Sequence, residues 1–267
     1  VGRIPMTELS ASDYLEEIRR AETGFIELSF DTICGSGTHG AIVHYAATPE
    51  TDIPIEPRGL LLVDSGGHYL EGTTDITRTF AMGPLTKEEI DHFTRVCRSN
   101  MNLANQRFLY GCSGLNLDVV AREPFWEVGL DFKHGTGHGV GYVLNVHEGP
   151  NGFRYRVTAD RSEGAVLEEG MVTTDEPGLY IEGKHGIRTE NELLCRKGEK
   201  NEYGQFMYFE NITYVPIDLD AIDPDQMSET ERKRLNAYHG MVYDVMAPCF
   251  KEEPHLVEFL KHYTRAI

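Results

Sequence analysis

Four acidic side chains that interrupt apolar, strand-like segments constrain this chain of 267 residues more than any other feature. Asp64 follows Leu-Leu-Leu-Val, Asp75 opens Asp-Ile-Thr-Arg-Thr-Phe, Glu176 precedes Pro-Gly-Leu-Tyr, and Glu190 follows Gly-Ile-Arg-Thr. A carboxylate in a half-buried strand is costly unless it is paired with a cation or bound to a metal. We therefore predict that these four carboxylates and His138 form one site.

The segment 58–80 predicts a β-hairpin that carries the first two acids. Alternation with period two places Asp64 on one face of the first strand and Asp75 on one face of the second. An antiparallel return brings the two carboxylates side by side, where they would repel and one would keep its proton unless a metal lies between them. Taken alone, the pair is also compatible with a solvated turn.

The segment 170–195 predicts a second hairpin-like unit, in which a Pro-Gly pair bends the chain after Glu176. On its returning strand Arg188, Glu190 and Glu192 alternate with residues of a packing face. The two units resemble a rough internal duplication, each supplying two carboxylates. For Arg188 an ordinary surface ion pair is the alternative.

The glycine-rich segment between the two units holds imidazoles at His134 and His138. It lacks the glutamate of the helical His-Glu-x-x-His zinc motif, and its glycines disfavour a helix. The alternating glycines also do not fit a dinucleotide-binding loop. With His147, three histidines within 14 positions favour a site. His44, in a predicted strand, could equally be an ordinary core or surface histidine.

Capping patterns and helical periodicity predict the helices. They are a helix capped by Ser10 with Asp13 and ending near Gly24, one from Thr86 to about Tyr110, one over 117–126 bounded or interrupted by Pro124, one from Ser228 to about Ala247, and a short one after Pro254. A strand is expected over 208–215.

Composition excludes several classes of protein. Apolar residues make up 40% and charged residues 25%, which is typical of a globular protein. A net charge of −18 argues against nucleic acid or an anionic membrane as partner. No apolar run approaches the roughly 20 residues of a membrane span. The five scattered cysteines predict reduced, buried thiols and a cytoplasmic location.

With Asp64, Asp75, His138, Glu176 and Glu190 in this order, the chain resembles the metallopeptidase family of methionine aminopeptidase, prolidase and aminopeptidase P. GAIVHYAATPET, DSGGHYLEGTTDITRTF, HGTGHGVGYVLNVHEGP and EPGLYIEGKHGIRTENELL resemble most closely the cytosolic, animal-like aminopeptidase P type. The resemblance implies an α/β (α+β) pita-bread fold, a curved antiparallel sheet with outer helices and pseudo-twofold symmetry. It implies a catalytic domain over 1–215 and a C-terminal helical extension over 216–267.

Because the chain opens on Val1, and the family normally carries N-terminal creatinase-like domains, we expect a catalytic fragment that lacks those domains and the first helix. The resemblance also implies a homodimer in the full-length protein.

The resemblance further implies two divalent metal ions. Asp64 and Asp75 would bind one, and Asp75, His138 and Glu176 the other, with Glu190 and Asp75 bridging. The oxygen-rich ligand set favours Mn²⁺, although Co²⁺, Fe²⁺ or Zn²⁺ are possible. A hydroxide bound to both metals would hydrolyse the bond before a proline at the second position of a peptide.

Matching positions imply the roles of the remaining residues. His147 would stabilise the oxyanion, and Glu176 would shuttle a proton to the leaving prolyl nitrogen. His44 and His134 would shape the substrate site. Tyr180 and Arg188 would also contact the substrate or orient a carboxylate. Three alternatives stay open: a prolidase restricted to Xaa-Pro dipeptides, a catalytically inert fragment, and a non-enzymatic pita-bread binding protein.

Overall fold

The computed structural model describes residues 4–156 and 164–267. Within these ranges the helices are α1 (Glu8–Ala21), α2 (Lys87–Ala104), α3 (Gly114–Trp126), α4 (Glu229–Met246) and α5 (Pro254–Tyr263). The first strands are β1 (Phe25–Leu28), β2 (Ile33–Ser36), β3 (Leu60–Tyr69), β4 (Gly72–Ala81) and β5 (Phe108–Leu109). The later strands are β6 (Gly137–Val140), β7 (His147–Phe153), β8 (Val172–Asp175), β9 (Gly178–Ile181), β10 (His185–Arg188), β11 (Asn191–Asn201) and β12 (Gly204–Asn211).

The first predicted hairpin is confirmed as β3 and β4, joined by a two-residue turn. Its register pairs Asp64 with Thr77 and Gly66 with Asp75, so the two acids are diagonal neighbours on one face. A Cβ on Gly66 would lie only 2.0 Å from the Thr74 carbonyl oxygen, so this position accepts no side chain. On the other edge of β3, strands β1 and β2 pair antiparallel with different halves of the strand.

The second predicted unit is also present, in a more elaborate form. Strands β8 and β11 pair antiparallel within a six-stranded sheet of order β5-β12-β11-β8-β6-β7. The separate hairpin β9–β10 is inserted between them. Glu176 therefore lies between β8 and β9, and Glu190 lies between β10 and β11. Both acids occupy junctions where the chain leaves one sheet and enters another.

The largest buried apolar cluster joins the helices to the strands that carry the acids. It includes Phe93, Val96 and Met101 of α2, Leu235 and Val242 of α4, Leu260 of α5, Leu60 of β3 and Ile187 of β10. The capping boxes predicted at Thr86–Glu89 and Ser228–Glu231 are confirmed, with both reciprocal hydrogen bonds formed at each. The C-terminal helices thus share a core with the central strands. The boundary expected between 215 and 216 stays a prediction.

Several expected element boundaries were wrong. The N-cap of α1 is Thr7, because its hydroxyl accepts the Ser10 amide at 3.2 Å. Helix α2 ends at Ala104, because Phe108 and Leu109 pair with β12 instead. The strand expected around His44 is absent from the described chain, where a 3-10 turn over Gly37–Ala41 and an irregular segment replace it.

The free cysteines differ in exposure. Cys34, Cys97 and Cys195 are buried, but Cys112 is half-buried and Cys249 is exposed, so the expectation of buried thiols holds for three of the five free cysteines.

Across residues 4–156 and 164–267, none of the helices combines the length and apolar character needed to cross a lipid bilayer.

Candidate dinuclear metal centre

The predicted site residues converge on one cavity of about 650 Å³. Its lining includes all five predicted metal ligands and four further predicted residues: Asp64, Asp75, His138, Glu176, Glu190, His44, His134, His147 and Arg188. Tyr180 lies just behind this lining, where its hydroxyl contacts both Arg188 and His134. The structure therefore brings together every residue that the sequence assigned to the site.

The five predicted ligands form what we call the floor of the cavity. They fall into two groups whose donor atoms all lie within 4.8 Å of one another, namely Asp64, Asp75 and Glu190, and His138, Glu176 and Glu190. Glu190 belongs to both groups and lies between them. Two overlapping sets of carboxylate and imidazole donors are the arrangement that a pair of divalent cations requires.

A third group contains Asp75, His138 and His147. The rings of His138 and His147 lie with their centroids 3.9 Å apart. His147 was predicted to stabilise an oxyanion rather than to bind metal, and its proximity to both groups is compatible with either role.

Burial and mutual repulsion raise the pKa of three of the floor carboxyl groups, Asp75, Glu176 and Glu190. Burial, followed by the charge of Asp64, raises the pKa of Asp75 well above its ordinary value. Burial, followed by the charge of Asp75, does the same to the pKa of Glu190. Burial also raises the pKa of Glu176, opposed by His138 and Arg188. Such a cluster is stabilised by positive charge placed among the oxygens.

The floor fits metal ions in two independent respects. Oδ1 of Asp64 is buried and has no hydrogen-bond partner among the described residues. Nδ1 of His138 lies 3.0 Å from the Gly139 carbonyl oxygen, which only accepts, so Nδ1 carries the proton and Nε2 presents a lone pair. That lone pair faces Asp75 Oδ2 at 3.3 Å and Glu176 Oε1 at 3.8 Å, a repulsive arrangement unless a proton or a metal lies between them.

Hydrogen bonds hold the floor from behind. Arg188 donates from Nη2 to Asp64 Oδ2 at 2.6 Å and from Nε to the Thr77 hydroxyl at 3.0 Å. The Thr77 hydroxyl donates in turn to Glu190 Oε2 at 2.8 Å. Arg188 is only 2% exposed, so it is not the surface ion pair that the sequence left open.

A second branch of this network runs to His134. Nη1 of Arg188 donates to the Tyr180 hydroxyl at 2.7 Å, and that hydroxyl lies 3.0 Å from His134 Nε2. Nδ1 of His134 donates to the Gly135 carbonyl at 2.7 Å. Burial lowers the pKa of this imidazole to about 3, so the ring is uncharged at neutral pH. His134 is therefore a half-buried, uncharged residue in the wall of the cavity.

His44 and His147 form what we call the rim, because both are exposed at the cavity, whereas the floor residues are buried or, for Glu176, half-buried. The segment that bears His44 is held by Glu8, which accepts the Ser36 amide at 2.6 Å and the Tyr45 hydroxyl at 2.8 Å. It also packs against β10, where a Cβ on Gly186 would lie 1.6 Å from the Gly40 carbonyl oxygen. The His44 part of the rim thus depends on these contacts rather than on a sheet, whereas His147 begins strand β7.

Sequence reasoning missed three residues that support the floor. The carboxylate of Glu192 accepts the Asp75 amide at 2.9 Å, and burial raises the pKa of Glu192 to about 7. Thr77 links Glu190 to Arg188, and Arg78 contacts the backbone around Glu190. Period-two alternation placed Thr77 and Glu192 on the correct faces, but no local pattern identifies their partners across more than 100 residues.

Comparison with known proteins decides the family. A profile of metallopeptidase family M24 matches residues 3–197, and the C-terminal region of peptidase M24 matches residues 205–267. The chain belongs to metallopeptidase family M24. Two curated relatives are aminopeptidase P1 of Arabidopsis thaliana, 40% identical over 98% of this chain, and Xaa-Pro aminopeptidase 1 of Dictyostelium discoideum, 42% identical over 92%.

Solved structures of M24 relatives confirm the predicted pita-bread fold. The X-prolyl aminopeptidase of Caenorhabditis elegans, described as a cytosolic enzyme with a dinuclear active site, matches 99% of this chain with a TM-score of 0.92 and 36% identity. A Xaa-Pro dipeptidase from Bacillus anthracis matches 81% with a TM-score of 0.66 and 32% identity. The chain spans about 40% of the two curated relatives, 43% of the C. elegans chain and 55% of the B. anthracis chain.

Proposed function

We propose that this M24 chain is the catalytic part of a metal-dependent aminopeptidase that removes the N-terminal residue from peptides with proline at the second position. The observation that carries the proposal is the pair of donor groups that share Glu190 on the cavity floor. The curated relatives aminopeptidase P1 of Arabidopsis thaliana and Xaa-Pro aminopeptidase 1 of Dictyostelium discoideum, 40% and 42% identical over 98% and 92% of the chain, support the choice of substrate.

In this proposal Asp64, Asp75 and Glu190 would hold one divalent cation, and His138, Glu176 and Glu190 would hold the other. Asp75, which also lies in a donor group with His138, would contribute to both. When bound, two such cations polarise a peptide carbonyl and lower the pKa of a coordinated water. Four carboxylates and one imidazole favour a hard cation, so Mn²⁺ is the proposed metal, with Co²⁺, Fe²⁺ and Zn²⁺ as the competitors that a metal-exchange series would rank.

The chain's own residues would direct the reaction at the carbonyl before proline. Water adds to the carbonyl carbon, the bond to the prolyl nitrogen breaks, and that nitrogen takes up a proton. The carboxyl group of Glu176 carries the proton, since it is 19% exposed to the cavity while the other ligands are more deeply buried. His147, exposed beside His138, donates to the oxygen that becomes negative.

The remaining predicted residues would position the substrate. The exposed His44 and the half-buried His134 shape the space around the proline. Arg188 and Tyr180, bonded to each other, fix the floor against which the peptide binds. The assignment of these roles rests on position in the cavity and on the family resemblance.

The properties of the whole protein are also part of the proposal. We propose that the full-length protein forms a homodimer, and that it works in the cytoplasm, since the C. elegans enzyme is described as cytosolic. The domain boundary between residues 215 and 216 also remains a proposal, and the two family profiles divide the chain earlier, between residues 197 and 205.

A length series of substrates tests the proposed activity. The Mn²⁺-loaded chain is expected to hydrolyse Xaa-Pro-Yaa tripeptides and longer Xaa-Pro peptides and to release the free first residue. Hydrolysis confined to Xaa-Pro dipeptides would instead identify a prolidase. Two bound ions with no turnover of any member would identify an inert fragment, and a folded chain that binds no metal would identify a non-enzymatic relative.

A further inference from the structure

Arg78 is a buried cation that touches the metal-binding strand and the C-terminal region at once. Only 4% of the residue is exposed, and it follows Thr77 on β4. In the part of the chain that the structure describes, every hydrogen-bond acceptor of its guanidinium is an uncharged oxygen. These acceptors are the carbonyls of Thr77, Glu190, Val215 and Pro216, the Asn191 side chain and the Tyr238 hydroxyl.

On the side that faces the metal-binding floor, Arg78 donates hydrogen bonds to groups around the backbone of Glu190. Its Nη1 donates to the carbonyl oxygens of both Thr77, at 2.8 Å, and Glu190, at 2.5 Å. The same Thr77 carbonyl accepts the Glu190 amide at 3.0 Å. Nη2 donates to Asn191 Oδ1 at 2.6 Å. These bonds fix the backbone on both sides of the one residue that belongs to both donor groups.

On the other side Arg78 reaches the segment before α4 and then α4 itself. Nη2 donates to the Val215 carbonyl and to the Tyr238 hydroxyl, both at 2.8 Å, and Nε donates to the Pro216 carbonyl at 3.1 Å. The Tyr238 hydroxyl donates onward to the Val215 carbonyl at 2.7 Å. A lost hydrogen bond would leave the buried positive charge of Arg78 without one of its acceptors, which is costly. The position of the guanidinium is therefore coupled to the position of α4 through Tyr238.

We propose that Arg78 is a positioning residue through which the C-terminal region, by way of Tyr238, sets the position of Glu190 and thereby the affinity of the metal centre. This inference rests on the proposed dinuclear function. It assigns the C-terminal region a part in the metal site although none of the predicted ligands lies beyond residue 205. A second bond in the same place, from the Ala81 amide to Asp218 Oδ2 at 2.9 Å, keeps β4 and the C-terminal segment in register.

The matched control is Arg98, which also ties α4 to the rest of the chain but contacts no floor residue. Its Nε donates to Glu231 Oε1 of α4 at 2.8 Å from α2. Replacement of Arg98 loosens the packing of α4 without removing a contact to Glu190 or Asn191. If Arg78 had a purely structural role, Arg78→Lys and Arg98→Lys would have the same effect on Mn²⁺ affinity.

The experiment is calorimetric titration of Mn²⁺ into chelator-treated parent, Tyr238→Phe, Arg78→Lys and Arg98→Lys chains, each with a thermal melt of the metal-free form. Loss of a residue that orients ligands costs about 10- to 100-fold in metal affinity. Arg78→Lys is expected to weaken Mn²⁺ binding by that factor, because lysine cannot bridge both sides. Tyr238→Phe, which removes one oxygen, is expected to weaken it by about tenfold.

Arg98→Lys should bind Mn²⁺ as the parent does even where its melting temperature falls. Parent-like Mn²⁺ binding by folded Tyr238→Phe would overturn the inference, and this variant decides the question if Arg78→Lys does not fold. Equal losses in Arg98→Lys and Tyr238→Phe would also overturn it. A parent that binds no Mn²⁺ would overturn the proposed function and the inference together, so the two failures are distinguishable.

Discussion

The floor and the rim of the cavity are built in different ways. None of the five floor residues exposes more than 19% of its side chain, and hydrogen bonds from Arg188, Thr77 and His138 fix the floor before any ligand arrives. The rim residues His44 and His147 are exposed, and His44 lies on a segment without regular structure. A preorganised floor suits tight cation binding, whereas an exposed rim suits substrates that enter and leave.

This contrast predicts separable effects. Changes in the floor should alter metal binding, and turnover should fall as a consequence. Changes in the rim should alter turnover while metal binding stays intact. The following predictions test that separation, beginning with the largest expected effect.

Removal of the charge of Asp75 should have the largest effect. Asp75→Asn is expected to lower hydrolysis of an Xaa-Pro-Yaa peptide by at least about 10³-fold, since metal catalysis contributes several kcal/mol to the barrier. Asp31→Asn is the matched control, because Asp31 lines the same cavity but belongs to neither donor group of the floor. Equal turnover by parent and Asp75→Asn would refute the assignment of the floor.

Replacement of the cation behind the floor should come next. Arg188→Lys cannot maintain bonds to Asp64, Thr77 and Tyr180 together, so Mn²⁺ affinity is expected to fall about 10- to 100-fold. Arg196→Lys, in an exposed ion pair with Glu210, should leave the affinity unchanged. A melt of each metal-free chain separates loss of affinity from loss of fold. Unaltered affinity in a folded Arg188→Lys chain would show that the floor does not depend on this support.

Truncation of the rim should lower turnover alone. His147→Ala is expected to reduce kcat by about 10²- to 10³-fold, as for the loss of one oxyanion donor, with two ions still bound. His255→Ala, at an exposed histidine of α5, is the control. Loss of one ion from His147→Ala would place His147 among the ligands, as the group with Asp75 and His138 allows, and would break the separation of floor from rim.

The last prediction concerns stability rather than turnover, and the half-buried wall residue His134. The pKa of His134 is lowered from its ordinary value of 6.5 to about 3 in the folded chain, so its contribution to stability is present above pH 6.5 and is lost as pH falls from 6.5 towards 3. His134→Gln keeps an acceptor for Tyr180 but cannot take up a proton. The difference in unfolding free energy between variant and parent should therefore shift in the variant's favour by up to about 1.4 kcal/mol per pH unit in that range. Denaturant melts at several pH values measure this difference, and a difference independent of pH would contradict the assignment of His134 as neutral in the folded chain.

The floor could be predicted from the sequence because each acid lies in or beside a strand, where a charge is anomalous. Asp64 and Asp75 could even be paired in space, since a short turn limits their register. The rim was harder to predict. Nothing local distinguishes the irregular segment around His44 from a strand, because its conformation depends on Glu8 and on the contact between Gly40 and Gly186.

The contacts that support the floor could not be predicted from the sequence for a related reason. Arg78 and Glu192 find their partners more than 100 residues away, and a single sequence holds no register between such distant strands. The predicted end of α2 was wrong for the same reason, because Phe108 continues the helical pattern in the sequence but pairs with Met207 of β12 in the structure. Local periodicity predicts the face of a helix or strand on which a residue lies. The residues that contact this face depend on tertiary pairing between distant segments.

The most direct test of the account is a crystal structure of the chain soaked with Mn²⁺, with anomalous scattering recorded for the metal. Two anomalous peaks are expected on the floor, one among Asp64, Asp75 and Glu190 and the other among His138, Glu176 and Glu190. Their separation should be roughly 3.5–4 Å, as in other two-metal sites. An empty floor at saturating Mn²⁺, or a peak only outside the cavity, would contradict the claim that these residues form a dinuclear centre.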